Sequence, residues 1–163
     1  MAFDPMEQRR IMGCFATGVT VVTTVSGGEY RGMTANAVTS LSLEPPLVMV
    51  SVDRGAQMHA HLTDSRVFAL NILSEDQEAV STQFARPGPK DFSNVATTTC
   101  RTGAPVLTDA LGHVECLLAD VLRAGDHDIF VGEIVAGDAG PGRPLLFYQG
   151  KYRRMSNGTE SRV

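Results

Sequence analysis

The chain has no apolar run approaching the ~20 residues that cross a bilayer, and its opening stretch, MAFDPMEQRR, holds no apolar signal region. A soluble, cytoplasmic protein that does not engage a membrane is expected. Apart from Lys151-Tyr152-Arg153-Arg154 there is no basic block, and fourteen basic against eighteen acidic residues leave a net charge of −4. That balance lacks the electrostatic footprint of a nucleic-acid binder. The three cysteines, Cys14, Cys100 and Cys116, are far apart and form no C-x-x-C pair. They argue against a disulfide framework and a structural zinc site, and they read as reduced, mostly buried thiols. Also missing are a G-x-G-x-x-G after a strand, a Walker loop, G-x-S-x-G and H-E-x-x-H. Rossmann-type nucleotide binding and the chemistries of the other motifs are therefore set aside.

What is present suits one domain. With 163 residues, of which 43% are hydrophobic and 20% charged, the chain is long enough for a real core. No internal repeat or low-complexity segment interrupts it. Asp4-Pro5-Met6-Glu7 combines a capping residue, proline at the first helical position and an early acid, which predicts a short helix through about Met12. GVTVVTTV, Gly18 to Val25, reads as a strand; Ser26-Gly27-Gly28 is a hairpin signal; EYRGMTA, Glu29 to Ala35, returns antiparallel.

Glu44-Pro45-Pro46 stops whatever precedes it, and LVMVSV, Leu47 to Val52, follows as a buried strand. A short helix is expected over about Ala56 to Leu62, then a strand over Val67 to Leu73. Ser74-Glu75-Asp76-Gln77 reads as a capping box opening a helix that carries Ala79, Val80 and Phe84 at helical spacing. Arg86 to Ser93, with two prolines, is a loop. From Val114 the pattern is all β: VECLLADVL, a turn at Gly125, IFVGEIV, a Gly/Pro stretch, then LLFYQGKYRRM. The expected fold is mainly β, a mostly antiparallel barrel with short helices rather than a doubly wound parallel sheet. It occupies residues 1–155 and leaves a polar tail over 156–163.

Three stretches bear on function. His59 and His61 in QMHAHL lie two residues apart on a helix and so point ~200° apart, with no acid or third histidine well placed nearby in sequence, and no metal site is expected. GMTANAVTSLSLEPP gathers Thr34, Asn36, Thr39, Ser40 and Ser42, while Gly32, Ala35 and Ala37 leave the backbone approachable. A flat heteroaromatic ligand with polar edge atoms suits such a wall; a polar loop bonding its own backbone is the alternative. In GDHDIFVGEI, Gly125 to Ile134, a turn leads into a β-branched run. If the strand period already holds there, His127 faces one side and Asp126 and Asp128 the other, presenting the imidazole to a pocket. An ordinary turn histidine fits the same residues.

TGVTVVTT, GMTANAVTSLSLEPPLVMVSV, FALNIL, FARPGPKDF and GDHDIFVGEI, in that order and at that spacing, resemble the flavin reductase family of the FMN-binding split-barrel fold. Its members are the reductase components that feed two-component flavin monooxygenases. The resemblance spans Arg10 to Met155. It implies a homodimer of six-stranded antiparallel Greek-key barrels, with FMN or FAD in a groove near the dimer interface and a nicotinamide stacked over the flavin. The implied activity is NAD(P)H:flavin oxidoreduction. Reduced flavin would diffuse to a partner oxygenase; the alternative is a flavin-retaining redox protein that passes electrons directly to a protein. No clamp for a 2′-phosphate is visible, which leans toward NADH over NADPH.

By the same resemblance, Thr34, Ala35, Asn36 and Ala37 line the isoalloxazine. Ser40, Ser51 and Asp53, with Val52 between the last two, lie along the ribityl chain and phosphate end. Phe84, Ala85 and Arg86 close the groove, the Arg86 guanidinium as a phosphate donor, and Tyr152 neighbours the ring. His127 faces the nicotinamide carboxamide. One departure is visible: many relatives carry a Ser or Thr for the flavin phosphate shortly after the VSVD-like strand, where this chain has Arg54-Gly55-Ala56-Gln57-Met58. Arg54, Gln57 or backbone N–H groups at the start of the next helix are the available substitutes.

Overall fold

The structure, a computed structural model, describes residues 2–156. The polar tail expected from 156 onward therefore lies, except for Ser156, outside the described residues. Helix α1 (Pro5–Met12) starts as the sequence predicts, with Asp4 Oδ1 accepting from Met6 N at 2.9 Å. Strands β1 (Thr17–Gly18), β2 (Thr20–Ser26) and β3 (Glu29–Ala35) follow. The β2–β3 hairpin closes with Ser26 opposite Glu29, over Gly27 and Gly28 at φ of 62° and 76°. Two positive φ values in a two-residue turn match the twist of the flanking strands, and glycine reaches them without a Cβ penalty.

Next come β4 (Val38–Leu43), β5 (Pro46–Asp53), α2 (Gln57–Ser65), β6 (Val67–Ile72) and α3 (Glu78–Ala85). The α3 helix begins later than the capping-box reading implies. Gln77 Oε1 accepts from Ser74 N at 2.9 Å, half of the expected exchange, but this makes a turn ahead of a helix whose capping residue is Gln77. The chain continues through β7 (Thr97–Thr99), β8 (Pro105–Leu107), β9 (Gly112–Ala124), β10 (His127–Ala139), β11 (Leu146–Tyr148) and β12 (Lys151–Arg153).

Every named strand pair is antiparallel, and the main sheet runs β3-β2-β6-β9-β10-β5-β4. It has seven strands where six are expected. The addition is β4, the polar stretch that reads from sequence as a wall; it is an edge strand with a register shift between Ser40 and Ser42. The sheet wraps around one core containing Val22, Val50, Val52, Phe68, Cys116 and Phe130, with Met58 and Leu62 of α2 inside it. Met33 from one edge strand and Val38 from the other pack on that same core, although β3 and β4 are not hydrogen-bonded to each other. That is a barrel split along one seam. Gly132 keeps the interior closely packed: a Cβ there would lie 2.7 Å from Cys116 Cβ and collide with the Phe68 ring.

A second cluster, Val19, Val21, Leu73, Phe84, Leu107 and Leu145, packs outside the barrel. Between these layers Asn71 is fully satisfied, donating to Val21 O and Thr23 Oγ1 at 3.0 Å each and accepting from Leu107 N at 2.9 Å. Glu115 is buried too and takes Thr102 N at 2.7 Å, Thr102 Oγ1 at 2.8 Å and Arg101 N at 3.2 Å. The expectation of mostly buried thiols is corrected. Cys116 is buried, and burial pushes its thiol up to about 12, but Cys14 in the turn after α1 and Cys100 in the β7–β8 connection are exposed.

Candidate functional site

Three depressions lie beside α3, the second sharing one lining residue with each of the others. The first, of 170 Å³, lies between the end of β3, α3 and the β11–β12 hairpin, and is lined by Thr34, Ala35, Asn36, Ala85, Phe147 and Tyr152 among others. Its wall is internally braced. Thr34 Oγ1 donates to the Ser81 carbonyl at 2.6 Å, and the buried Ser81 hydroxyl is 2.7 Å from Tyr152 Oη. Tyr152 meets Phe147 edge to face at 5.6 Å. The Thr34 proton is thus committed to α3, and the Thr34 lone pairs and the amide of exposed Asn36 remain as free polar valences at this depression.

The second depression, of 360 Å³, adjoins the first at Ala85 and is rimmed by Arg31, Gln57, His61, Arg86 and Lys90. Phe84 forms its base, packed so closely over Gly32 that a Cβ there would lie 2.6 Å from the ring. Burial draws the Lys90 ammonium below its ordinary value, and its Nζ bonds the Arg86 carbonyl. Arg31 pairs with Glu29 through one terminal nitrogen while its buried Nε has no partner. The third depression, of 620 Å³, shares Arg86 with the second and lies between α3 and the loop that follows it.

The site residues expected from sequence therefore divide. Thr34, Ala35, Asn36, Ala85 and Tyr152 converge on the first depression, and Gln57, Phe84, Ala85 and Arg86 on the second. Ala37, Ser40, Ser51, Asp53 and His127 line none of the three. Ser51 N donates to the Ala37 carbonyl at 2.9 Å, and Asp53 Oδ1 accepts from Gly55 N at 2.7 Å, so both hold the backbone that leads into α2. Val52 is a correction: its side chain is 1% exposed, in the barrel core, which leaves only its backbone to meet a ligand.

His127 opens β10, opposite Asp53 of β5, after the two-residue turn Gly125-Asp126. Its half-exposed ring places Nδ1 2.7 Å from Asp126 Oδ1, and that bond holds the Asp126 carboxyl below its usual range. The expectation that both flanking acids face away from His127 is thus corrected for Asp126, which sits in the turn rather than in the strand period. Asp128 does turn elsewhere, to His59 Nε2 at 2.7 Å. His59, for which no nearby acid is evident in sequence, has one 69 positions away.

Sequence reasoning also missed Ser81, Lys90 and Arg31. Lys90 lies within the quoted FARPGPKDF stretch, but nothing local marks Ser81 or Arg31. Among the described residues no group of three His, Cys, Asp or Glu side chains is placed to hold a metal ion, and no helix is long and apolar enough to cross a membrane. An aromatic and amide-walled pocket beside a cationic one, the two sharing Ala85, suits a ligand with a flat ring at one end and an anionic group further along.

Comparison with known proteins agrees with this chemistry. The sequence profile of the flavin reductase like domain matches residues 12–156. An NADH-dependent FAD reductase of Streptomyces globisporus is 42% identical over 159 residues, covering 94% of this chain and 87% of that protein. The reductase component of a 4-nitrophenol 4-monooxygenase/4-nitrocatechol 2-monooxygenase of Rhodococcus opacus is 42% identical over 149 residues, 91% of this chain and 80% of its own. The solved structure of a Streptomyces globisporus NADH:FAD oxidoreductase in complex with NAD and FAD fragments superposes with a TM-score of 0.90 at 40% identity, covering 98% of this chain and 99% of that one.

Proposed function

The chain belongs to the flavin reductase like domain family, and from that membership we propose that the adjacent depressions beside α3 form the flavin groove of its reductase site. The protein is an NAD(P)H-dependent flavin reductase that supplies reduced flavin to a monooxygenase. The carrying observation is that the Thr34–Asn36 and Tyr152 pocket and the pocket rimmed by Arg31, Arg86 and Lys90 share Ala85 as a lining residue. When bound, FMN or FAD supplies the hydride-accepting ring and the nicotinamide supplies the hydride.

The residues then have distinct tasks. Thr34, braced by Ser81, and Asn36 offer lone pairs and an amide to the polar ring edge; Ala35 and Ala37 are small enough to allow close approach. Arg86, Lys90 and Arg31 neutralise the phosphate, in place of the Ser or Thr that the family resemblance implies after β5 and that this chain lacks. Ser40, Ser51, Val52 and Asp53 shape the β4–β5 backbone alongside. At His127, Nδ1–H donates to the acceptor-only Asp126 carboxylate, so Nε2 is the nitrogen left to meet a carboxamide.

We extend the proposal to a homodimer whose interface flanks the groove. It is supported by exposed Phe3, Met6, Ile11, Met12 and Phe15 on and around α1, and by Leu117 and Leu122 on β9. So much uncovered apolar surface favours symmetric self-association. Purified protein should oxidise NADH only when FMN or FAD is added, and should run as a dimer in light scattering. No flavin-dependent oxidation with either flavin would defeat the reductase site, and a fully active monomer would defeat the dimer. A flavin-trapping oxygenase from an unrelated system should intercept the reduced flavin if it travels free.

A further inference from the structure

His127 has little packing of its own. Its Nδ1 bonds Asp126, which is exposed in the same turn and moves with it, and the half-exposed ring lines none of the three depressions. The backbone from Gly125 to Asp128 therefore sets where the imidazole stands. That backbone is tied to residues 52–59 in three ways: His127 and Asp128 pair with Asp53 and Val52 in the ladder, the Asp126 carbonyl accepts from Arg54 N at 3.1 Å, and the Asp128 carboxylate accepts from His59 Nε2 at 2.7 Å. The third tie joins side chains, so a substitution can remove it alone.

Strand alternation turns that tie into a lever on His127. Asp128 and the fully buried Phe130, two positions apart on β10, both meet the His59 ring, while His127 on the other side of Asp128 is directed to the opposite face. His59 is itself held firmly: its N–H donates to the Ala56 carbonyl at 3.0 Å, and its carbonyl accepts from Thr63 Oγ1 at 2.9 Å. The other Asp128 oxygen, Oδ1, is buried and has no partner among the described residues. The carboxylate thus depends on His59. A buried charge deprived of its partner turns to water, and Asp128 can do so by rotating the start of β10, which carries His127 with it.

We propose that His59 is a positioning residue for nicotinamide oxidation, acting through Asp128 to hold the His127 imidazole in its working orientation. The inference rests on the reading of His127 as the partner of the nicotinamide carboxamide. His59 lines none of the three depressions, so its effect reaches the reaction through β10.

A double-mutant cycle tests it: kcat/KM for NADH at saturating FMN in wild type, His59→Leu, His127→Ala and the double variant, with Kd for FMN and melting temperature measured on the same preparations. Leucine keeps an apolar contact with Phe130 but donates no hydrogen bond. His59→Leu should lower kcat/KM roughly 3- to 10-fold with the wild-type His127 present, and by less than about twofold once His127 is alanine. Kd for FMN should not change. His59→Gln keeps a donor and should lose less; it is carried through the same cycle, so an unfolded His59→Leu leaves the test standing. No loss on substituting His59, or equal losses in both backgrounds, would overturn the positioning role and leave the role of His127 intact. Unchanged kcat/KM in His127→Ala would overturn both together. Weakened FMN binding that matches the fall in kcat/KM would place the effect in the second depression, which Gln57 and Met58 of α2 line, and would overturn the inference.

Discussion

His59 Nε2 on α2 lies 2.7 Å from Asp128 Oδ2 on β10, and the His59 ring also stands edge-on to Phe130 at 5.1 Å. The pair fastens α2, which lends Met58 and Leu62 to the barrel core, to the strand that starts with His127. Both side chains are largely buried, 23% and 15% exposed, and the other Asp128 oxygen has no partner. His59→Ala would leave that carboxylate buried without its one bond, a loss of about 1–3 kcal/mol. Urea unfolding should show it, with His59→Gln recovering part; equal midpoints for His59→Ala and wild type would mean the pair contributes nothing.

His127→Ala should lower kcat/KM for NADH by roughly 3- to 150-fold, the span for losing one hydrogen bond to a neutral or a charged partner. Flavin affinity and melting temperature should stay near wild type, because the ring is half exposed and lines none of the three depressions. His127→Asn, which retains a donor, should recover part of the loss. Unchanged kinetics in His127→Ala would remove the residue from the site.

Arg86→Ala should weaken binding of both flavins. Arg86 is exposed, so salt screens it, and the expected loss is about 3- to 10-fold at low ionic strength and smaller at high salt. Calorimetric titrations at two salt concentrations check this, and a salt-independent loss would point to packing rather than charge.

Glu115 makes acid stability testable. Burial alone would raise its pKa, but bonds from Thr102 and Arg101 outweigh burial and hold it below 4.5. A depressed carboxyl stabilises the fold fully at pH values well above 4.5 and loses that contribution as pH falls through its folded value. Glu115→Gln should cost about 1.5–3 kcal/mol at pH 7 and flatten the decline of stability below pH 4.5. Parallel wild-type and variant profiles over that window would contradict the assignment.

Gly132→Ala should destabilise by about 1–3 kcal/mol through overpacking, since the added methyl would collide with Phe68 and lie 2.7 Å from Cys116 Cβ. Thermal melts measure it. A simultaneous Phe68→Leu, which makes room, should restore part of the loss; no recovery would place the strain in the backbone.

Local chemistry was the legible part of this protein. The Asp4-Pro5 start of α1, the Gly27-Gly28 turn and the strand after Pro45-Pro46 each depend on a few adjacent residues whose backbone preferences agree with the fold. The motif order carried the family, and with it the grouping of Thr34, Asn36, Ala85 and Tyr152. What stayed hidden depends on partners distant in sequence. Ser81 braces Thr34 across 47 positions and Tyr152 across 71, and such contacts leave no periodic trace. β7 and β8 are three residues each, too short for alternation to show. The acid beside His59 was invisible because it comes from another strand, and Asp126 was misplaced because it belongs to the turn, where the two-residue period does not hold.

Asn36, Ala85 and Arg86 are all exposed where they line the proposed groove, so a flavin seated there would keep part of its surface in water. Its residence time then follows from affinity. At an association rate constant of about 10⁷ M⁻¹s⁻¹, a micromolar Kd corresponds to escape at about 10 s⁻¹, the pace at which many enzymes turn over. Any substitution that deepens the rim and tightens the ligand a hundredfold lengthens its stay to about ten seconds, and would turn a shuttle of electrons into a store of them.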